Sequence, residues 1–119
     1  MRRIIVADDS QEVAEVFRRL LLRRGYDVTV VANGQELLDI FQEKPAEAVI
    51  VDLEMPVKDG WETIEELRTR YPDLKIVAVS GGPAQPSTVL KRGADAFVPK
   101  GGPPGKVVAL VEKLILATS

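Results

Sequence analysis

The chain reads as an α/β protein: a single doubly wound, five-stranded parallel sheet in the order 2-1-3-4-5 with helices on both faces, a flavodoxin-like arrangement. Three observations predict it. Short apolar runs alternate with segments of helical periodicity along the whole chain, the pattern of strand and helix units that closes on a covered parallel sheet. The runs Ile4 to Ala7 and Ala48 to Val51 are apolar throughout, as strands buried on both faces require. The length, 119 residues, suits one domain, expected over residues 1–119, with a core of its own and no linker.

Each element follows from local pattern. After the first strand, Val13, Val16, Phe17, Leu20 and Leu21 recur at helical spacing, and Arg23, Arg24 and Gly25 supply a basic last turn and a stop. Tyr26 to Ala32 is strand-like in its Val and Thr content. Leu37, Leu38 and Phe41 mark a short helix ending near Pro45, and the Ala48 to Val51 strand leads directly into Asp52. A third helix from about Trp61 to Tyr71 puts Trp61, Ile64 and Leu67 on one face. Pro72 and Asp73 then turn the chain into the strand Lys75 to Val79, which Ser80 ends. The next stretch, Gly81 to Arg92, contains Gly82, Pro83 and Pro86. A shortened fourth helix is expected there, beginning after Pro86 and capped by Ser87. Ala96 to Pro99 forms the fifth strand, with Lys100 after it. The last helix, marked by Val107, Leu110, Val111, Leu114 and Ile115, follows a loop from Gly101 to Gly105.

Composition narrows the chemistry. A formal net charge of −2 gives no basic surface for nucleic acid, so direct binding to DNA or RNA is not expected. Cysteine is absent, which excludes disulfides and thiol catalysis. Histidine is absent too, removing the usual general base and the commonest transition-metal ligand. Any metal is therefore a hard cation held by oxygen, Mg²⁺ first and Mn²⁺ second. Met1, Arg2 and Arg3 precede only a short apolar run broken by Asp8, so neither a signal peptide nor a membrane span is expected and the location is expected to be cytoplasmic.

The strand ends carry the functional signal. Asp8 and Asp9 follow the first strand, Asp52 the third, Ser80 the fourth and Lys100 the fifth. In the order 2-1-3-4-5 these converge on one rim, where ligands of open parallel sheets bind. Three carboxylates there repel one another unless a cation or proton relieves them, which suggests a divalent metal site. With a hydroxyl and an ammonium added, the set suits phosphoryl transfer, Asp52 being the acceptor nucleophile. Taken alone, Asp59-Gly60 is a turn dipeptide, and Phe97 and Trp61 are packing residues.

Asp8-Asp9, the stretch Val51-Asp52-Leu53-Glu54-Met55-Pro56-Val57-Lys58-Asp59-Gly60, then Ser80, Gly93-Ala94-Asp95-Ala96-Phe97 and Lys100 together resemble the receiver domain of bacterial two-component response regulators. The resemblance covers the whole chain. It implies that Asp52 takes a phosphoryl group from a phosphohistidine on a sensor histidine kinase or a histidine phosphotransfer protein, with Mg²⁺ required. It implies direct ligation of that ion by Asp9, ligation by Asp8 mostly through water, by Asp52 through one carboxylate oxygen and by Glu54 through its backbone carbonyl. Ser80 would bond one phosphoryl oxygen and Lys100 pair with another. Phe97 would turn inward with Ser80 as the switch presented to a downstream protein partner. Such a domain catalyses only its own phosphorylation and dephosphorylation and is not an enzyme on external substrates.

Three departures stand out against that family. Gly101 and Gly102 follow Lys100 where a proline is common, which loosens the constraint on the lysine's reach. The segment between Ser80 and Gly93 is shorter than usual, so the fourth helix is clipped and output recognition is expected to be non-standard. The Glu54 side chain is expected to lean toward the phosphoryl site, with Gly82 across from it leaving that side open to water. A phosphate-independent receiver-like adaptor is the alternative function, and the intact acidic set with Ser80 and Lys100 argues against it. A metal-dependent phosphatase would want Asp where Glu54 stands, and a flavin module would be repelled by Asp8 and Asp9. With no output domain expected after the last helix, the chain reads equally as a stand-alone receiver or as one domain of a longer regulator.

Overall fold

In a computed structural model that describes residues 2–117, the apolar runs become β1 (Arg3–Ala7), β2 (Asp27–Val31), β3 (Ala48–Asp52), β4 (Lys75–Ser80) and β5 (Ala96–Pro99). Met1, Thr118 and Ser119, the expected ends of the domain, lie outside the described residues. All four strand pairings are parallel, in the order β2-β1-β3-β4-β5. Among the described residues four helices connect them, α1 (Gln11–Arg23), α2 (Gly34–Glu43), α3 (Gly60–Arg70) and α4 (Pro86–Lys91), and α5 (Pro104–Ala117) follows β5.

Because side chains alternate across a strand, the apolar runs feed two cores at once. Ile5, Ala7, Val49, Val51, Ile76 and Ala78 face one layer with Leu37 and Phe41 of α2, Ile64 and Leu67 of α3 and Val89 of α4. Ile4, Val6, Ile50, Val77 and Val79 face the other with Phe17 and Leu21 of α1 and Val107, Val111 and Ile115 of α5. Chain order reverses between β1 and β3, which places the topological switch point between the strands that carry Asp8 and Asp52.

Short polar side chains start three helices. Ser10, Asn33 and Asp59 accept hydrogen bonds from the backbone N–H groups of Val13, Glu36 and Glu62, satisfying donors that a helix start leaves orphaned. The Asp59 cap starts α3 at Gly60, one residue earlier than expected, and Tyr71 is its C-cap. Two helix starts differ by more. In α4 the helix begins at Pro86 itself, with Gln85 in the cap position and no side-chain capping bond, so Ser87 lies inside the helix and is not its cap. In α5 the helix begins at Pro104, inside the segment expected to be loop. The reason is shared: proline at the first helical position has the right φ and no N–H to satisfy, so it opens a helix as well as breaking one. The clipped fourth helix is borne out, at six residues.

Candidate functional site

Parallel register delivers the strand ends to a common rim. Asp52 pairs with Val79 and Ser80 with Pro99, so Asp8, Asp52, Ser80 and Lys100 follow one another across adjacent strands. Asp8 and Asp52 are buried, at 3% and 1% exposure, whereas Asp9 is exposed. Asp8 is fixed from both sides: its N–H donates to the Val31 carbonyl at 3.1 Å, and its Oδ1 accepts from the Ser10 N–H at 2.9 Å. Gly60 holds the loop after β3 against Asp52. Its N–H donates to the Leu53 carbonyl at 3.0 Å, and a Cβ there would stand 2.2 Å from the Asp52 carbonyl oxygen, so only glycine fits.

Lys100 reaches the acids despite the glycines after it, because its own N–H is tied to the Ser80 carbonyl at 2.9 Å. Its Nζ lies 3.0 Å from Asp52 Oδ2 and 3.0 Å from Asp8 Oδ2. Asp52 Oδ1 accepts from the Glu54 N–H at 3.1 Å. Asp8, Asp9 and Asp52 each offer an oxygen within 4.8 Å of the others. Asp8 Oδ2 is buried and depends on the ammonium it shares with Asp52.

Two buried carboxylates therefore divide one positive charge. Burial pushes the Asp52 carboxyl up to about 6, Lys100 pulls it back down and the neighbouring Asp8 charge adds to the rise. For Lys100, burial opposes the charged form, but its bonds to Asp52 and Asp8 outweigh that and hold the ammonium above its ordinary range. An added hard cation with open positions would relieve the imbalance, and every available donor here is an oxygen.

Ser80 is at this rim but is not joined to Asp52. Its buried hydroxyl donates to the Glu54 carboxylate, 2.8 and 2.7 Å from the two oxygens, and accepts from the Gly82 N–H at 3.1 Å. Glu54 thus leans toward the site as expected, with Gly82 facing it. Phe97 is half-buried against the core beneath α2, α3 and α4. Trp61 packs on the same core and carries one contact that sequence reasoning missed. The Arg92 guanidinium lies over its ring, 5.1 Å from the centroid, and also pairs with Glu65, tying the end of α4 to α3. Asp59 has no part in the acidic set, consistent with its reading as a turn residue.

The family model described as response regulator receiver domain matches residues 4–112. The chain belongs to that family. This receiver is 34% identical over 119 residues to response regulator MprA of Mycobacterium sp. strain KMS, an alignment covering 98% of the chain and 52% of the relative. It spans about half the length of the relatives it matches in this way. Its fold superposes on the receiver domain of Francisella response regulator 1452 with a TM-score of 0.92 at 23% identity, covering all of both chains. A two-component response regulator of the LuxR family from Aurantimonas gives 0.84 at 28% identity, covering 97% of the receiver and 85% of that chain. No helix among the described residues is long and apolar enough to cross a membrane.

Proposed function

We propose that this receiver accepts a phosphoryl group on Asp52 from a phosphohistidine of a sensor histidine kinase or histidine phosphotransfer protein. The observation that supports it most is the acidic set itself: Asp52 and Asp8 buried around one ammonium that each meets at 3.0 Å and that both must share. An Asp52 oxygen forms the new bond to phosphorus as the donor's N–P bond breaks, the imidazole leaving with the electron pair. The Asp8, Asp9 and Asp52 carboxylates and the Glu54 backbone carbonyl would hold Mg²⁺, or Mn²⁺ in its place. The bound cation would supply positive charge to the phosphoryl oxygens.

The chain's own residues do the rest. Lys100 holds its ammonium where a phosphoryl oxygen on Asp52 can take it up in place of the carboxylate, so the charge is in position before the reaction. Ser80 offers a second donor. Its movement, with that of half-buried Phe97, would change the face formed by the short α4 and β5, to which a downstream protein binds. Attack of water on phosphorus returns the Asp52 carboxylate and releases phosphate, so turnover is self-catalysed and limited to the domain's own acyl phosphate.

The test is intact-protein mass after incubation with acetyl phosphate and Mg²⁺, with an Asp52→Asn variant beside it. One phosphoryl adduct on the wild type, absent from the variant and absent without Mg²⁺, is expected. No adduct under rapid quenching would sink the proposal and leave a phosphate-independent adaptor as the better reading.

A further inference from the structure

We infer that the Glu54 side chain is a built-in competitor for the Ser80 hydroxyl, an internal anion that an arriving phosphoryl group must displace. The inference rests on phosphoryl acceptance at Asp52. A serine hydroxyl carries one proton to donate. Here the nearest acceptors for that proton are the two Glu54 carboxylate oxygens, at 2.8 and 2.7 Å, with the Gly82 carbonyl farther off at 3.3 Å. Ser80 therefore cannot bond a phosphoryl oxygen while this contact stands.

Charge works in the same direction. A phosphoryl group on Asp52 carries up to about two negative charges where the carboxylate carried one, and a carboxylate at the neighbouring hydroxyl repels it. Glu54 has somewhere to go, because its residue is exposed and Gly82, opposite, has no side chain to block it; a Cβ there would lie 3.6 Å from Glu54 Oε1.

The contact also reaches the backbone. The Ser80 oxygen that donates to Glu54 accepts from the Gly82 N–H at 3.1 Å, so the carboxylate, the hydroxyl and the first residues of the β4–α4 connection form one chain of hydrogen bonds. Displacing Glu54 turns the hydroxyl and loosens Gly82 in the same event. The competitor thus sets the threshold for phosphoryl binding and couples that binding to the segment leading into α4.

The first readout needs neither metal nor phosphoryl. In metal-free protein the Gly82 amide should exchange with solvent about tenfold faster in Glu54→Ala than in wild type, the loss of one hydrogen-bonded tie. Glu54→Gln, whose carbonyl oxygen still accepts from Ser80, should stay within about threefold of wild type. The second readout is titration with beryllofluoride and Mg²⁺, a phosphoryl mimic on the Asp52 carboxylate. Glu54→Ala should bind about tenfold more tightly than wild type, and in a Ser80→Ala background, where only charge repulsion is left to relieve, the same substitution should tighten binding by no more than about threefold. Unchanged Gly82 exchange, or an equal gain in both backgrounds, would overturn the competitor and leave simple charge repulsion. If neither wild type nor Glu54→Ala binds beryllofluoride or accepts phosphoryl, the acceptor reading itself fails, an outcome distinct from the others.

Discussion

The two rims of the sheet obey opposite rules. Where the strands begin, each charge named below meets a partner: Arg2 lies 3.5 Å from Glu47, Arg3 lies 2.9 Å from Asp27, and Asp95 accepts from both Arg68 and the Ile76 N–H at 2.7 Å. Arg68 also donates to the carbonyls of Gly93, Pro72 and Leu74, closing the loop before β5. These groups are partly hydrated, and no two like charges compete for one partner. Where the strands end, Asp8 and Asp52 are buried around a single ammonium that both must share, and Ser80 is held by a carboxylate. A fold that pairs these charges at one edge has the means to do so at the other. That it does not marks the second edge as built for a ligand, since local conflict with stability concentrates at functional sites.

The largest effect that tests this contrast is removal of the shared cation. Lys100→Met leaves two buried carboxylates without their shared cation and should cost about 3 kcal/mol of stability at neutral pH in metal-free buffer, measured by urea unfolding. Arg3→Met, which breaks a half-exposed pair, should cost less than about 1 kcal/mol in the same assay. Equal losses would mean that the rims do not differ in this way.

Next comes removal of the conflict itself. The Asp52 carboxyl stands at about 6 in the folded chain against 3.8 for an ordinary aspartate, so between these values the folded state binds more protons than the unfolded one. Stability contributed by this group is therefore complete below the lower value and is lost as pH rises through the higher one. Asp52→Asn removes the buried charge and should stabilise the metal-free protein by about 2 kcal/mol at neutral pH, the gain shrinking toward zero near pH 4. A gain independent of pH would place its origin elsewhere.

The acidic rim should also recover stability from a cation. Mg²⁺ at ten times its dissociation constant should add about 1.4 kcal/mol to wild type. At the same concentration Asp9→Ala should gain less than about 0.5 kcal/mol, while Arg3→Met, at the opposite rim, should gain as much as wild type. Thermal melts with and without the ion read this directly, and stabilisation of all three proteins alike would point to binding away from the carboxylates.

How far this asymmetry was legible depended on whether the signal was local. Asp52 and Lys100 announce themselves because each directly follows the apolar residues of a strand, and strand order then brings them to one rim. The union of Ser80 with Glu54 is carried by no local pattern, since the two are brought together by the pairing of β3 with β4 and by the turn after Asp52. Arg92 over Trp61 is hidden for the same reason, as a contact between two helices with no shared motif. Pro86 and Pro104 were ambiguous locally, because proline both ends helices and starts them, and only the surrounding packing decides which.

The smallest predicted effect concerns backbone strain, and it divides the rims again. At the edge where strands begin, the positive-φ turns fall on glycine: Gly25 before β2 at 88° and Gly93 before β5 at 127°. At the site edge the corresponding position is Val57, a β-branched residue held at a φ of 66° in the loop after Asp52, with the Lys58 N–H closing on the Pro56 carbonyl at 2.7 Å. Its side chain is no compensation, being 85% exposed. Val57→Gly should therefore stabilise the protein by about 1 kcal/mol, the strain released minus the added freedom of the unfolded chain. Gly25→Ala, with nothing within 4 Å of the added Cβ, isolates the backbone cost alone and should destabilise by a similar amount, about 1 kcal/mol. Opposite signs in urea midpoints would show strain held at the site edge and avoided at the other; a neutral or destabilising Val57→Gly would remove backbone strain from the contrast and leave it purely electrostatic.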